Sequence, residues 1–433
     1  MQNYARTAGI LSAVFMGLGQ LYNRQIEKAL LFLCYNVFAW IMFSKYLPNA
    51  IWGIWTLGEH ARTMVKGKFP KEYDHSTNLL IIGLAVLILF GFYLISYIYN
   101  IKDAYETGRE REVYGSVKTF GQTIKNILTY SFPFVLLTVP IIGVFIFTIL
   151  PLVFMILLAF TNYDRNHIPP SKLVDWVGMD NFMNLVQLST YSHTFYKILL
   201  WTFIWAIAAT VTTYFGGMLV ALLIQQNGVR FKTFWRTLFI IPYAIPQLIS
   251  LLVMRNLFNG NFGPINQYLA FFGIQNIDWL GDAFWAKMTV IFVNMWLGVP
   301  VSMVLILGVL TTIPRDLYEA ADVDGASDFQ KFRAITLPMI LFSTMPLLIM
   351  QFAGNINNFN VIFLLTNGNP PCADCQYAGE TDLLVTWLYK LTLDRQEYGL
   401  ASSVGIIIFI IIATFSIWNY RRSKSFIEED MIQ

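Results

Sequence analysis

The sequence predicts an all-α polytopic membrane protein with about eight transmembrane helices. Three observations predict it. Of 433 residues, 56% are hydrophobic and 13% charged, about half the charge of a soluble domain, and the mean hydropathy is +0.55. Apolar runs recur that reach the roughly 20 residues needed to cross a bilayer as helix. The cations between those runs are unevenly shared between alternate loops.

The runs fall at 28–47, 78–100, 131–160, 197–225, 236–257, 286–312, 334–355 and 400–420. The third contains Pro133, Pro140 and Pro151. Prolines are tolerated in spanning helices because neighbours satisfy the freed carbonyls, and this segment is expected to begin with an interfacial piece. With the N-terminus inside, 17 Lys and Arg residues fall in inner loops and 9 in outer ones. The outer group includes Lys66, Lys68 and Lys71, and the inner group includes Lys424. This bias places both termini, and the loop 313–333, in the cytoplasm of a multi-pass cell-membrane protein. The first residues resemble a signal peptide, with Arg6 before an apolar stretch from Ala8 to Leu18. Gln20, Tyr22, Asn23 and Arg24 follow instead of a small-residue cleavage site. The segment is therefore read as retained, either interfacial or part of an extended first hairpin.

Several chemistries are excluded. A net charge of +3 without a basic arm gives no nucleic-acid footprint. Neither a Walker A sequence nor H-E-x-x-H occurs, so ATP is not bound here in that manner. Cys372 and Cys375 form a C-x-x-C, but zinc takes four ligands and no further Cys or His lies nearby. A local disulfide or two free thiols remain. Cys34, in an apolar run, reads as a small core residue. The segments 161–196 and 356–399 are too short for cores of their own.

The densest local signal is the loop from Ile313 to Pro338. Asp316 and Glu319 read as a helix start related to the capping box, with a short helix from Leu317 to about Asp324. Gly325 stands where a helix end needs a left-handed residue. Ser327 and Gln330 form a second capping box, which leads through Phe332 and Ile335 into the seventh span. Ala320, Ala321, Gly325 and Ala326 leave the backbone open to another protein, and Glu319, Asp322 and Asp324 offer charge to a basic partner. Asp322-Val323-Asp324 is also a D-x-D, the metal ligand pair of many glycosyltransferases. On a helix those carboxylates point about 200° apart, which is poor for chelation. A membrane glycosyltransferase is the alternative from another class.

Polar residues inside spans are costly and mark function. Three sets stand out: Tyr243 and Gln247 between Pro242 and Pro246; Asn294, Trp296 and Gly298; and Gln351, Asn355, Asn357, Asn358 and Asn360. Amides both donate and accept, which suits neutral, hydroxyl-rich ligands, and aromatic faces stack on sugar rings. The plain alternative is that these amides bond between helices.

Glu319-Ala320-Ala321, Asp324-Gly325-Ala326 and Ile335-x-Leu337-Pro338 resemble the EAA motif of ABC importer permeases. The run Asn357 to Gly368, with Pro242 to Pro246 and Thr381 to Val385, resembles the maltose and maltodextrin permeases of the larger, first-subunit type. The resemblance implies a type I ABC importer permease fold, with a core at 197–420 inside a permease domain 131–433, and residues 1–130 as an N-terminal extension. It makes 316–327 a coupling helix, docking through Glu319, Ala320, Ala321, Asp324, Gly325 and Ala326 into a separate ATPase. It implies a second homologous permease, two ATPase copies holding ATP-Mg, and no cofactor in this chain. It also implies sugar contacts at Tyr243, Gln247, Gly298, Val301, Gln351, Asn355 and Asn358. Gln247 and Gln351 stand where small hydroxyl residues are familiar, and Val301 replaces an aromatic, so stacking is expected to be weaker or shifted. The short segment 161–196 implies a cell without an outer membrane and a lipid-anchored extracellular sugar-binding protein. Galactooligosaccharides and raffinose-type sugars are alternative cargoes.

Overall fold

A computed structural model describes residues 3–62, 72–226 and 228–422. Lys66, Lys68, Lys71 and Lys424 of the charge count lie outside these residues. The chain forms two compact units, Met1–Gly178 and Met179–Gln433.

The first unit contains α1 (Tyr4–Val14), α2 (Leu18–Tyr22), α3 (Ile26–Thr56), α4 (Ser76–Tyr114), α5 (Phe120–Tyr130) and α6 (Phe132–Leu158). Small residues let α1 lie against the end of α4: Ala5 and Ala8 are buried, and a methyl built at Gly108 would strike the Tyr4 and Ala5 backbone. The Ala5 amide donates to Glu112 at 2.9 Å and the Tyr97 hydroxyl to the Ala13 carbonyl at 3.2 Å. Cys34 is exposed on α3 rather than buried. In a span the outward face is apolar as well, so hydropathy did not separate core from lipid surface.

The second unit contains α7 (Asp180–Val186), α8 (Ser189–Gln225), α9 (Lys232–Ala244), α10 (Gln247–Leu257), α11 (Pro264–Phe271), α12 (Ala283–Thr312), α13 (Arg315–Val323), α14 (Asp328–Ile356), α15 (Phe359–Leu365), α16 (Leu384–Leu393) and α17 (Tyr398–Arg422). Its axis is the pair α8 and α12, where a methyl at Gly217 would meet Ser302 and the Met303 amide. Small residues at such crossings allow the close approach on which helix association in lipid depends.

Among the described residues, seven helices are long and apolar enough to cross a membrane, and the bent pair α9 and α10 brings the number to eight if it counts as one span. The sequence suggested one continuous helix there. The two halves instead meet at 91°. Proline disfavours helical backbone in the residue before it, and Ile245, preceding Pro246, is extended at φ −85°, ψ 133°. Prolines leave a second mark. The helices α6 and α14 each loosen into a π turn, Phe145–Ile149 and Phe332–Thr336. Each turn ends two residues before a proline, Pro151 or Pro338. Proline donates no hydrogen bond and its ring crowds the carbonyl four residues back. The Leu150 amide accordingly reaches to Phe145 and the Leu337 amide to Phe332.

The segment 366–383 packs as an ordered cap at the Ala283 end of α12. Cys372 and Cys375 are joined as a disulfide. Glu380 accepts from Lys197 at 2.6 Å and from Lys287 at 2.9 Å. Burial opposes ionisation of Glu380, but the two lysine hydrogen bonds outweigh it and hold the carboxyl below its ordinary value. Asp382 behaves oppositely: burial raises it, against its bond from Lys390 at 2.6 Å. The depressed Glu380 pKa contributes stability that is complete above the ordinary carboxylate value near 4.3 and is lost as pH falls through the folded value. Glu380→Gln is expected to cost about 2 kcal/mol, the scale of hydrogen bonds to charged groups. It should also remove that acid dependence, read as the unfolding midpoint in detergent between about pH 3 and 7.

Candidate functional site

Midway along α12, residues three and four apart turn one stripe toward the break between α9 and α10. Asn294, Leu297, Gly298 and Val301 form that stripe, and Pro242 to Gln247 form the facing wall. Between them lies a cavity of about 570 Å³, within the range of small-molecule sites. No lining residue is charged. The bend shapes the facing wall, because Pro242 to Gln247 run across the corner where α9 and α10 meet. Tyr243 is 66% exposed, so its ring presents a free face. The Gln247 Oε1 accepts from Asn360 Nδ2 at 3.2 Å, which steadies the amide at the rim.

The structure thus gathers Tyr243, Gln247, Asn294, Gly298 and Val301 and leaves the other candidates outside this lining. Trp296 is two residues from Asn294 and Gly298, about 200° around the helix, so it leaves on another face. Gln351 is half-buried on α14, and Asn357 is exposed at its end. Asn355 and Asn358 form a chain of amides between Asn294 of the α12 stripe and α8. Asn358 Nδ2 donates to Asn294 Oδ1 at 3.1 Å, while its Oδ1 caps α15 by accepting from the Val361 amide at 3.4 Å. Asn355 is buried and donates to Thr210 at 3.0 Å, and its carbonyl accepts from Trp205 Nε1 at 2.9 Å. Thr210 was not singled out in the sequence. A hydroxyl within an apolar span was the available sign, but threonine commonly bonds its own helix backbone. Asn358→Ala is expected to lose the cap and leave Asn294 with one partner fewer. The cost is about 1–2 kcal/mol, read as a lower thermal midpoint in detergent with α12 still inserted.

At the Thr312 end of α12 stands α13. Its start differs from the expected one. Pro314 is the N-cap and Arg315 the first helical residue, so Asp316 lies in the first turn and does not cap. Pro314 fixes the preceding geometry, and Asp316 still favours the positive helix end. The other end follows the sequence closely. Gly325 is left-handed at φ +72°, the Ala326 amide donates to Ala321 at 2.9 Å and the Gly325 amide to Asp322 at 3.1 Å, a Schellman closure. Ser327 and Gln330 make the expected capping box. Lys331 ties Asp322 and Asp328, each at 2.8 Å, and Tyr318 bonds Thr336 at 2.8 Å. These bonds hold α13 to the base of α14. Glu319, Ala320, Asp324 and Gly325 are exposed, and Ala321 and Ala326 half-buried. Val323 is 88% and Phe329 70% exposed, an apolar pair beside the acids.

Residues 213–425 match the family described as binding-protein-dependent transport system inner membrane component. Over 426 residues the chain is 38% identical to the galactooligosaccharides transport system permease protein GanP of Bacillus subtilis, covering 98% of this chain and 99% of that one. This chain belongs to that permease family. It is also 37% identical over 440 residues to the maltodextrin transport system permease protein MdxF of Bacillus subtilis, covering 99% of this chain and 98% of the other. A crystal structure of a bacterial ABC transporter involved in import of the acidic polysaccharide alginate shares the fold. Its TM-score is 0.58 at 24% identity, over 70% of this chain and 98% of that one. The permease is a multi-pass, non-enzymatic transport component of the ABC importer class. Nothing in these relationships supports the glycosyltransferase alternative, and Asp322 of the D-x-D is engaged by Lys331.

Proposed function

We propose that this permease carries a neutral oligosaccharide of the maltodextrin type across the membrane through the cavity between α12 and the α9–α10 break. The observation that supports it is the uncharged lining of tyrosine and amides, whose donors and acceptors match hydroxyl groups. An acidic sugar would ask for a Lys or Arg there. The relatives support the sugar class, and GanP supports a second reading, a galactooligosaccharide, with nearly the same identity as MdxF.

In this reading both termini are cytoplasmic and α13 with its turn, from Glu319 to Ala326, docks into an ATPase subunit. A second homologous permease completes the pore, two ATPase copies bind ATP-Mg, and an extracellular, lipid-anchored binding protein delivers sugar to the mouth near Glu380. ATP-driven closure of the ATPases moves α13. Through Lys331 and Tyr318 that motion passes to α14, and the cavity opens first to one side and then to the other. Residues 131–433 act as the permease domain and 1–130 as an extension.

The deciding experiment is reconstitution of the purified complex with its binding protein in proteoliposomes. Maltotriose and a galactotriose of equal length are compared for uptake and for stimulated ATP hydrolysis. Preference for maltotriose by about tenfold supports the maltodextrin reading, the reverse preference selects the galactooligosaccharide, and transport of neither sinks the oligosaccharide assignment.

A further inference from the structure

The transport path leaves the Cys372–Cys375 disulfide unused. It lies in the cap 366–383, beside a cavity of about 220 Å³ lined by Lys197, Trp201, Lys287, Cys375 and Glu380. The two sulfurs have different surroundings. Cys372 is 7% exposed, and its Sγ accepts from Lys197 Nζ at 3.1 Å. Cys375 is half-buried and is the cysteine that lines the cavity.

Charge supplies the second observation. Lys197 and Lys287 both donate to Glu380. Asp382, the other carboxyl at the cavity, is held by Lys390. Among the described residues two ammonium groups therefore share one carboxylate, and one positive charge stands in excess beside Cys372 Sγ. The side chains of Lys287 and Glu380 are 27% and 16% exposed, and partly buried charges are screened much less than exposed ones. A neighbouring ammonium favours the thiolate form of a cysteine. In the disulfide the sulfur is neutral and the excess charge is unmatched. Release of Cys372 as a thiolate balances it.

We propose that Cys372–Cys375 is an exchange-active disulfide, reduced by a dithiol that attacks at Cys375. The thiolate of the dithiol bonds to Cys375 Sγ, the bond between the two cysteines breaks, and its electron pair stays on Cys372 Sγ, which Lys197 holds as a thiolate. A thiol of lower pKa leaves faster, so Lys197 speeds attack at Cys375 and not at Cys372. The second sulfur of the dithiol then displaces Cys375, which takes up that sulfur's proton. The dithiol ends as a disulfide, Cys375 as a thiol and Cys372 as a thiolate, and one proton enters solvent.

The test is the rate at which dithiothreitol reduces the full-length permease in detergent, read as the mass gained on alkylation with N-ethylmaleimide. Cys34, an exposed free thiol, is labelled throughout and reports recovery, while reduction adds the labels of Cys372 and Cys375. The natural chain is expected to be reduced while still folded. Lys197→Gln should slow the reaction about tenfold, as a leaving thiol loses its cationic neighbour. Lys287→Gln should slow it about threefold by removing the excess charge. A purely structural role for the lysines predicts the opposite sign, because a loosened cap exposes the sulfurs. A disulfide that stays intact in dithiothreitol until the natural chain unfolds overturns the proposal, as does an unchanged or faster reduction of folded Lys197→Gln. Should that variant not fold, Lys287→Gln decides: slower reduction supports the proposal, and an unchanged or faster rate overturns it. The readout is sulfur chemistry alone, so its failure leaves the sugar assignment standing.

Discussion

Gly325→Asp is expected to abolish transport while the permease still inserts at its normal level. Gly325 is left-handed at φ +72° and a methyl built there meets nothing within 4 Å. Within the chain the substitution costs only the left-handed penalty of about 1–2 kcal/mol, and Asp bears it better than most residues. The added side chain instead projects from an open turn beside Ala326, where a docking protein would need the backbone. Uptake should fall by at least about a hundredfold, equivalent to some 2.7 kcal/mol of lost coupling. Gly325→Ala should lie between, and Glu319→Lys, an exposed charge reversal, should match the aspartate variant. Uptake of labelled sugar is measured beside membrane abundance and recovery of the ATPase on affinity purification. Normal uptake at normal abundance would remove the docking role from α13.

Tyr243→Ala combined with Gln247→Ala should raise the half-saturating sugar concentration by about tenfold or more, equivalent to about 1.4 kcal/mol. Both side chains line the cavity and both are exposed, so the loss falls on the ligand rather than on the fold. Thermal midpoint and basal ATP hydrolysis should stay within error of the natural protein. Unaltered uptake kinetics in the double variant would move the sugar path away from the α9–α10 bend. Gly298 offers no comparable test, because a methyl built there would collide with Thr213 on α8 instead of entering the cavity.

How far these features were legible depends on the range of the forces behind them. The Ser327 box and the Gly325 turn are set by contacts within a few residues, and both stand as the sequence implied. The span positions follow from hydropathy alone, which bilayer thickness reads directly. What hydropathy could not resolve was which side of a span faces protein. Cys34 was therefore misplaced, and Trp296, in a run rich in polar candidates, gave no sign of leaving the Asn294 stripe. The sharp bend at Pro246 was likewise hidden, because proline in a membrane helix is compatible with anything from a mild kink to a full break. Asn355 and Asn358 were found as polar residues, but their partners Thr210 and Asn294 are 145 and 64 residues distant, beyond any local pattern.

The right-angled meeting of α9 and α10 has a consequence for how the cell must produce this protein. The final carbonyls of one half-helix and the opening amides of the other have no helical neighbours to bond, and hydrocarbon offers them nothing. That seam is tolerable only against water or another polypeptide. If the second permease proposed above is what covers it, copies synthesised in excess of that subunit would present the seam to acyl chains, and the half-life of the chain in the membrane is expected to track that subunit's supply.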